Sequence, residues 1–251
     1  MKKLILFTFI LSLAQTSIAQ NGTTLKDRNG CQFIIDSRLF YPLDSSPELL
    51  KTYSLKWTGK CFFNFLEGHG ILGIYDQRNK RKWKYEGDIK EGRISGYGRM
   101  SKDDYMIYSG EWKGGKRDGE GKYNHRNGNS YIGGWKNGKE HGEGIGNYPY
   151  TSGESYSGEW KNGEKHGEGK YNYKNGDSYT GELKNGVRHG EGKYNFKNGA
   201  SYTGGWKNGE MHDQGVFIDR YGNKEKRSYI RGKENTIIRC PGDRRCKPIK
   251  W

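Results

Sequence analysis

The sequence predicts an all-β protein: an elongated single-layer antiparallel sheet of stacked β-hairpin repeats, open and solenoid-like. Three observations carry that expectation. A Tyr-x-Gly start recurs at Tyr85, Tyr108, Tyr131, Tyr156, Tyr179 and Tyr202, with spacings of 23, 23, 25, 23 and 23 residues. A period of this size marks a repeat architecture in which each unit is one supersecondary element. Each unit also holds two alternating stretches separated by turn residues, as in Lys161-Asn162-Gly163 and Asn175-Gly176, which is hairpin chemistry. Finally, only 31% of residues are hydrophobic and 40 are Gly, yet 14% are aromatic. Such a chain lacks the aliphatic material for a conventional core of its size, but disordered chains are usually poor in aromatic residues. An ordered array of aromatic and glycine residues satisfies both facts.

The chain starts with Met1-Lys2-Lys3, then an apolar run from Leu4 to Leu13, then Ser17-Ile18-Ala19 ahead of Gln20. This is the layout of a secretory signal peptide over residues 1–19, cleaved after Ala19. The expected location is therefore exported: periplasm, cell envelope or extracellular space, in the style of a bacterial envelope protein. No later segment approaches the roughly 18 apolar residues of a membrane-spanning helix. The net charge of +15 falls by the two lysines of the leader.

Residues 20–56 form an N-terminal region or cap. Cys31–Leu39 reads as a strand, Tyr41–Pro47 as a loop, and Glu48–Leu55 as a short helix or strand. The four cysteines are Cys31, Cys61, Cys240 and Cys246, and four cysteines allow three pairings. Export favours disulfides, and the end-region locations favour Cys31–Cys61 with Cys240–Cys246. A zinc site is the weaker alternative, because the spacings do not match the usual ones.

The array spans residues 57–221. Counting each leading Tyr as position 0, alternation in a strand places positions 0, 2 and 4 on one face. Tyr108, Gly110 and Trp112 then share a face, and Ser109, Glu111 and Lys113 share the other. The second strand opens on glycines at positions 11 and 13, as in Gly167, Gly169, Tyr171 and Tyr173 on one face. The same offsets fit Trp57, Gly59, Gly68 and Gly70, which makes a degenerate first unit and brings the count to about seven. Two extra residues fall near Tyr148-Pro149-Tyr150, where a bulge or edge irregularity is expected because Pro cannot donate to a ladder. The last unit replaces its first glycine with Asp213 and keeps Gly215. Residues 222–251 are a basic cap or tail, in which Tyr229-Ile230 and Thr236–Ile238 are candidates for a hairpin that closes the open end.

The pattern YxGEWKNGKxHGxGxYxxxxGxxY, nearest to complete from Tyr156 to Tyr202, resembles the MORN (membrane occupation and recognition nexus) repeat. The resemblance extends over about two-thirds of the chain, Trp57 to Tyr221. It implies a single-layer sheet of stacked hairpins and a scaffolding role without catalysis, with phosphoinositide binding and dimerisation as proposed family activities.

Three sets of residues are candidates for chemistry. The aromatic face holds Tyr108, Trp112, Tyr131, Trp135, Tyr156, Trp160, Tyr179, Tyr202 and Trp206. These rings are the expected core of a sheet with no second layer, with a ligand groove where a ring stays uncovered. Lys113, Lys136, Lys161, Lys184 and Lys207 recur at position 5 on the opposite face, and Arg244, Arg245 and Lys247 lie in the tail; both are candidate contacts for anionic lipid. Interleaved Glu residues point instead to a solvated face. His141, His166, His189 and His212 all occupy position 10. Successive repeats stand about 10 Å apart, too far for two of them to share one metal ion, so they read as turn residues.

No hydrolase, P-loop or metalloprotease motif occurs, and Gly-x-Gly pairs lie between strands rather than before a helix. The expected function is a non-enzymatic exported scaffold for protein–protein interaction or self-association, without cofactor or metal. The alternative is a peripheral binder of anionic membrane lipid or envelope polysaccharide. The protein partner has no signature, a homo-oligomer is a candidate state, and no nucleic-acid partner is expected because charge and aromatics alone carry little weight.

Overall fold

A computed structural model describes residues 23–27, 29–35, 54–149 and 152–239. Among these the chain forms strands and turns and no helix, arranged as an open, mostly antiparallel sheet of successive hairpins. It divides into two compact units, residues 1–118 and 119–251.

The first unit contains β1 (Thr23–Lys26), β2 (Gln32–Ile35), β3 (Ser54–Trp57), β4 (Lys60–Phe62), β5 (Phe65–Tyr75), β6 (Arg81–Lys90), β7 (Arg93–Lys102) and β8 (Tyr105–Lys113). β1 pairs with β2, and β5 pairs with both β3 and β4 on its one side and β6 on the other. Its interior is largely aliphatic: Leu55, Leu66, Leu72, Ile74, Ile89 and Ile94 are buried with Phe33, Trp83 and Tyr85. Cys31 and Cys61 form the expected disulfide, with Cα atoms 5.9 Å apart. In the N-terminal region β2 covers Gln32–Ile35, within the expected strand, and Ser54 and Leu55 belong to a strand; residues 36–53 lie outside the described residues. Cys240 and Cys246 lie outside the described residues.

The second unit continues from β9 (Lys116–Asn124), which belongs to it from Gly119 onward, through β10 (Ser130–Lys136), β11 (Lys139–Tyr148), β12 (Glu154–Lys161) and β13 (Glu164–Asn172). It ends with β14 (Ser178–Lys184), β15 (Val187–Asn195), β16 (Ser201–Lys207), β17 (Glu210–Ile218), β18 (Lys224–Ile230) and β19 (Lys233–Arg239). β18 and β19 form the capping hairpin around the Arg231-Gly232 turn.

One register recurs in β6–β7, β10–β11, β12–β13, β14–β15 and β16–β17. In β14–β15, Tyr179 faces Tyr194, Gly181 faces Gly192, Leu183 faces Arg188 and Lys184 faces Val187. Glu182 alone therefore stands opposite His189, Gly190 and Glu191, so the second strand bulges by two residues. The second strand starts at position 8, earlier than the glycines suggest, and the glycine at position 11 sits in its bulge. Gly190 has φ 56°, a left-handed conformation that Gly adopts without Cβ penalty. The histidines are accordingly strand residues at the bulge, not turn residues.

The leading tyrosine closes this bulge. The Tyr179 hydroxyl reaches the carbonyls of Glu182 at 2.9 Å and His189 at 3.3 Å, and Tyr156 does the same with Glu159 at 3.0 Å and His166 at 3.2 Å. Bulging would otherwise strand these carbonyls away from ladder donors. The ring lies flat against backbone: a Cβ on Gly192 would come within 2.2 Å of the Tyr179 hydroxyl oxygen. Tyr at position 0 and Gly at position 13 are thus one packing device.

Successive hairpins are stitched at their tips. The Gly163 amide donates to Glu140 O, Gly186 to Lys165 O, and Gly209 to Arg188 O. The expected irregularity at Pro149 does not interrupt a strand. β11 and β12 stay paired out to Tyr148↔Glu154, and the amides of Ser152 and Gly153 both reach back to Tyr148 O. The two extra residues instead lengthen β11 and β12 by one residue each, adding the pair Tyr148↔Glu154, and Pro149 falls in a connection as long as those of the neighbouring repeats.

Candidate functional site: the aromatic face and its cations

In the second unit the aromatic face divides into two rows with different prospects. The first row is the one singled out by the repeat: Tyr131, Trp135, Tyr156, Trp160, Tyr179, Tyr202 and Trp206 are all buried. Tyr108 and Trp112 are buried in the same manner in the first unit. The indole N–H groups are satisfied internally: Trp160 donates to Gly144 O at 3.1 Å, and Trp206 to Gly192 O at 3.1 Å. Edge-to-face pairs link the row, for example Tyr179 with Trp206 at 5.4 Å and Tyr131 with Trp160 at 5.2 Å between centroids. Each such pair adds about 0.5–1.5 kcal/mol to the area term. With neither exposed ring surface nor free N–H, this row is the core and leaves little for a ligand.

The second row comes from positions 15 and 17 of the second strands and is only half-buried. It comprises Tyr171, Tyr173, Tyr194, Phe196 and Phe217, linked by centroid distances of 4.5, 5.7, 4.8 and 6.2 Å. Sequence alternation placed Tyr171 and Tyr173 on this face; the continuity of the row appears only when the hairpins stack.

Cations lie on the same face, which the simple division into an aromatic side and a charged side did not anticipate. Position 9 pairs with position 4 across each hairpin, so Lys165 faces Trp160 and Arg188 faces Leu183. The Lys165 ammonium sits 4.8 Å from the Tyr171 ring centre and 5.7 Å from that of Trp160. Arg188 lies 4.3 Å over Trp206 and 4.9 Å over Tyr194 while donating to Gly209 O at 2.6 Å. These are cation–π distances. Burial pulls the Lys165 amine below its ordinary value, against the attraction of Glu154.

Two carboxylates complete the row. Glu154 accepts from the Tyr171 hydroxyl at 2.8 Å. Asp177 accepts from Tyr194 at 2.6 Å and from the Lys197 amide at 2.8 Å, and the Tyr194 bond leads the causes that hold its carboxyl below the usual range. Burial, then the Asp177 hydrogen bond, pushes the Tyr194 hydroxyl up to about 12. The strip therefore offers flat rings, fixed cations and fixed hydroxyls, but no nucleophile–base pair.

On the opposite face, Lys113, Lys136, Lys161, Lys184 and Lys207 are exposed, as expected for position 5. The structure shows them facing position 8: Lys161↔Glu164 and Lys207↔Glu210 are opposite in charge, whereas Lys136↔Lys139 are alike. Arg244, Arg245 and Lys247 lie outside the described residues. Among the described residues, no cluster of three or more His, Cys, Asp or Glu is placed to hold a metal ion.

The degenerate unit follows the same rules. Trp57 Nε1 donates to Lys60 O at 2.9 Å, the position-0 to position-3 bond that tyrosine makes elsewhere. A Cβ on Gly70 would meet the Trp57 ring at 2.7 Å, and Gly68 has φ 82°.

An open, single-layer antiparallel sheet of 23-residue hairpins, each locked by Tyr on Gly, defines a β-hairpin repeat protein. The MORN repeat family model matches residues 85–106, 108–130, 131–145, 156–178, 179–201 and 202–223, just over half of the chain. The chain belongs to the MORN repeat family. The hairpin that begins at Trp57 lies outside the matched residues. Among curated proteins no match is found.

Proposed function

We propose that this chain is a non-enzymatic exported scaffold that binds a protein partner, or a second copy of itself, along the half-buried aromatic strip of its second unit. The observation that supports this reading is the continuity of Tyr171, Tyr173, Tyr194, Phe196 and Phe217 beside Lys165 and Arg188. Partly covered aromatic and arginine side chains are the residue types that anchor protein interfaces. The leader-like residues 1–19 support export, with periplasm, envelope or extracellular space as the destination.

Light scattering over a concentration series tests self-association. The expected result is association that persists at high salt, because rings rather than surface charge carry it, and that weakens at least tenfold in Tyr173→Ser/Phe196→Ser. Both side chains are half-exposed, so that variant keeps its first-row core. A chain that stays monomeric throughout removes self-association, and association unchanged in the variant removes the strip.

A further inference from the structure

Position 9 forms a periodic row on the aromatic face of the second unit. It holds Glu140, Lys165, Arg188 and Met211, in β11, β13, β15 and β17. Each faces position 4 across its hairpin, from Trp135↔Glu140 to Trp206↔Met211, so all four share the face of the rings. Successive members stand two strands apart, a step of about 9.6 Å.

Two members of the row keep donors unspent. The Lys165 ammonium lies 5.3 Å from the Tyr148 ring centre and 4.8 Å from that of Tyr171, and among the described residues it donates no hydrogen bond. Glu154 attracts it, but that carboxylate already accepts from the Tyr171 hydroxyl. Arg188 gives one N–H to Gly209 O and bonds the Tyr173 side chain, which leaves further donors on a group that has five. Asp177 is occupied by Tyr194, Asn175 and the Lys197 amide.

A ligand for this row must offer acceptors at the same step and apolar groups to lie among the half-buried rings. Three residues of an extended strand cover about 10 Å, but alternation turns every third residue to the opposite face. An α-helix returns residue i+7 to the same face after about 10.5 Å, but its carbonyls are spent within the helix. A polyproline II helix repeats every three residues in about 9.3 Å, shows the same side at each turn and leaves its carbonyls unbonded. Proline presets that conformation and packs well on aromatic-lined grooves. The row also has a polarity, because Glu140 stands at one end in place of a cation. Its carboxylate is half-buried and makes no hydrogen bond or ion pair among the described residues. It lies near the Tyr148 hydroxyl, which burial and then this charge push up to about 12. A basic side chain complements it.

We infer that the strip binds a proline-rich segment of another protein, held as a polyproline II helix across the strands with one turn per repeat. Its carbonyls accept from Lys165 and Arg188, its prolines lie among Tyr171, Tyr173, Tyr194 and Phe196, and a basic residue at one end meets Glu140. The inference rests on the reading of the strip as a protein interface and names the partner's chemistry. A second copy does not supply such a segment, because no two of this chain's five prolines stand within three residues of each other. From β11 to β17 the row spans about 29 Å, or about nine residues of the bound helix.

Fluorescence anisotropy of the full chain with labelled hexa-, nona- and dodecaproline tests it, with a Gly-Ser peptide of the same length as control. Affinity should rise at least tenfold from hexaproline to nonaproline and little beyond, and the Gly-Ser peptide should not bind. Arginine added at one terminus of nonaproline should tighten binding several-fold, and Glu140→Gln should cancel that gain. Lys165→Met installs the residue that the last matched unit carries at position 9, so it should keep the thermal midpoint while weakening nonaproline several-fold. Tyr173→Ser/Phe196→Ser should weaken it at least tenfold. Absence of saturable oligoproline binding, or equal binding of the Gly-Ser peptide, overturns the inference. If self-association is still lost in Tyr173→Ser/Phe196→Ser, the strip then stands as an interface for a partner of another kind. Oligoproline binding undiminished in that variant, together with unchanged association, overturns both readings.

Discussion

The two units build the same hairpin from different materials. In the first, position 4 faces position 9 as Ile89 against Ile94, and Leu66, Leu72 and Ile74 fill the interior around a disulfide. In the second, the corresponding pairs are Trp160 with Lys165 and Trp206 with Met211, and the buried side chains are mainly Tyr and Trp. The bulge, the Tyr-to-carbonyl hydrogen bond and the turn conformation are common to both. What the repeat requires is therefore a backbone with one ring lying on glycine. The rest of the interior is free to vary, provided apolar area is covered and buried polar groups are paired.

Alkali acts on both units, through Tyr85 in the first, whose hydroxyl burial lifts well above its ordinary value, and through more numerous buried tyrosines in the second. Burial pushes the hydroxyls of Tyr131, Tyr156 and Tyr179 well above the ordinary value, and those of Tyr148 and Tyr202 up to about 12. A raised folded-state value stabilises fully below the unfolded value of 10.0 and is lost as pH rises through the folded one. The second unit, which holds all five, should thus release phenolate and strand signal together as pH climbs past about 10 toward 12. Phenolate absorbance followed beside far-ultraviolet circular dichroism checks this. Independent titration at ordinary values with the sheet intact would contradict it.

Single side chains come next. Tyr179→Ala should cost about 3–5 kcal/mol, the usual range for deleting a buried ring, whereas Tyr179→Phe removes only the hydroxyl bonds, at about 1 kcal/mol. Urea unfolding of both variants separates ring from hydroxyl. Cys61→Ser opens a loop of sequence separation 30 and should cost about 3–4 kcal/mol. Its loss should appear as faster amide exchange in the first unit, with β14–β16 protected as before.

The fold was legible because each unit states its requirements locally. Asn162-Gly163 announces a turn, Tyr179 and Gly192 announce a ring on backbone, and the spacing repeats. The bulge was not legible. Glycine at position 11 was read as the opening of a strand, because alternation alone does not count the two extra residues opposite Glu182. That miscount also displaced the histidines into turns and hid Lys165 and Arg188, since position 9 then falls in a turn instead of near the start of a strand, where it shares the aromatic face. The second aromatic row was half legible: Tyr171 and Tyr173 follow from alternation, but their neighbours Tyr194 and Phe196 come from the next hairpin.

The smallest predicted effect bears on that bulge. Asp213 occupies position 11 of the last matched unit with φ 56°, the value that Gly167 and Gly190 hold in theirs. Asp213→Gly should stabilise by about 1 kcal/mol, the cost of a left-handed conformation for a residue with a Cβ. The unit tolerates Asp because position 3 there is Gly205, whereas in its neighbour a Cβ on Gly190 would meet the Glu182 carboxylate at 2.3 Å. Gly190→Asp should therefore cost more than the conformational term, through crowding and like charge, and Glu182→Gly should recover the excess. A double-mutant cycle read by urea midpoints measures the coupling. A value near zero would mean that backbone conformation alone selects the residue at the bulge. A favourable coupling of about 1 kcal/mol would mean that positions 3 and 11 are chosen as a pair, so that the Gly205–Asp213 combination is an alternative solution to the same bulge.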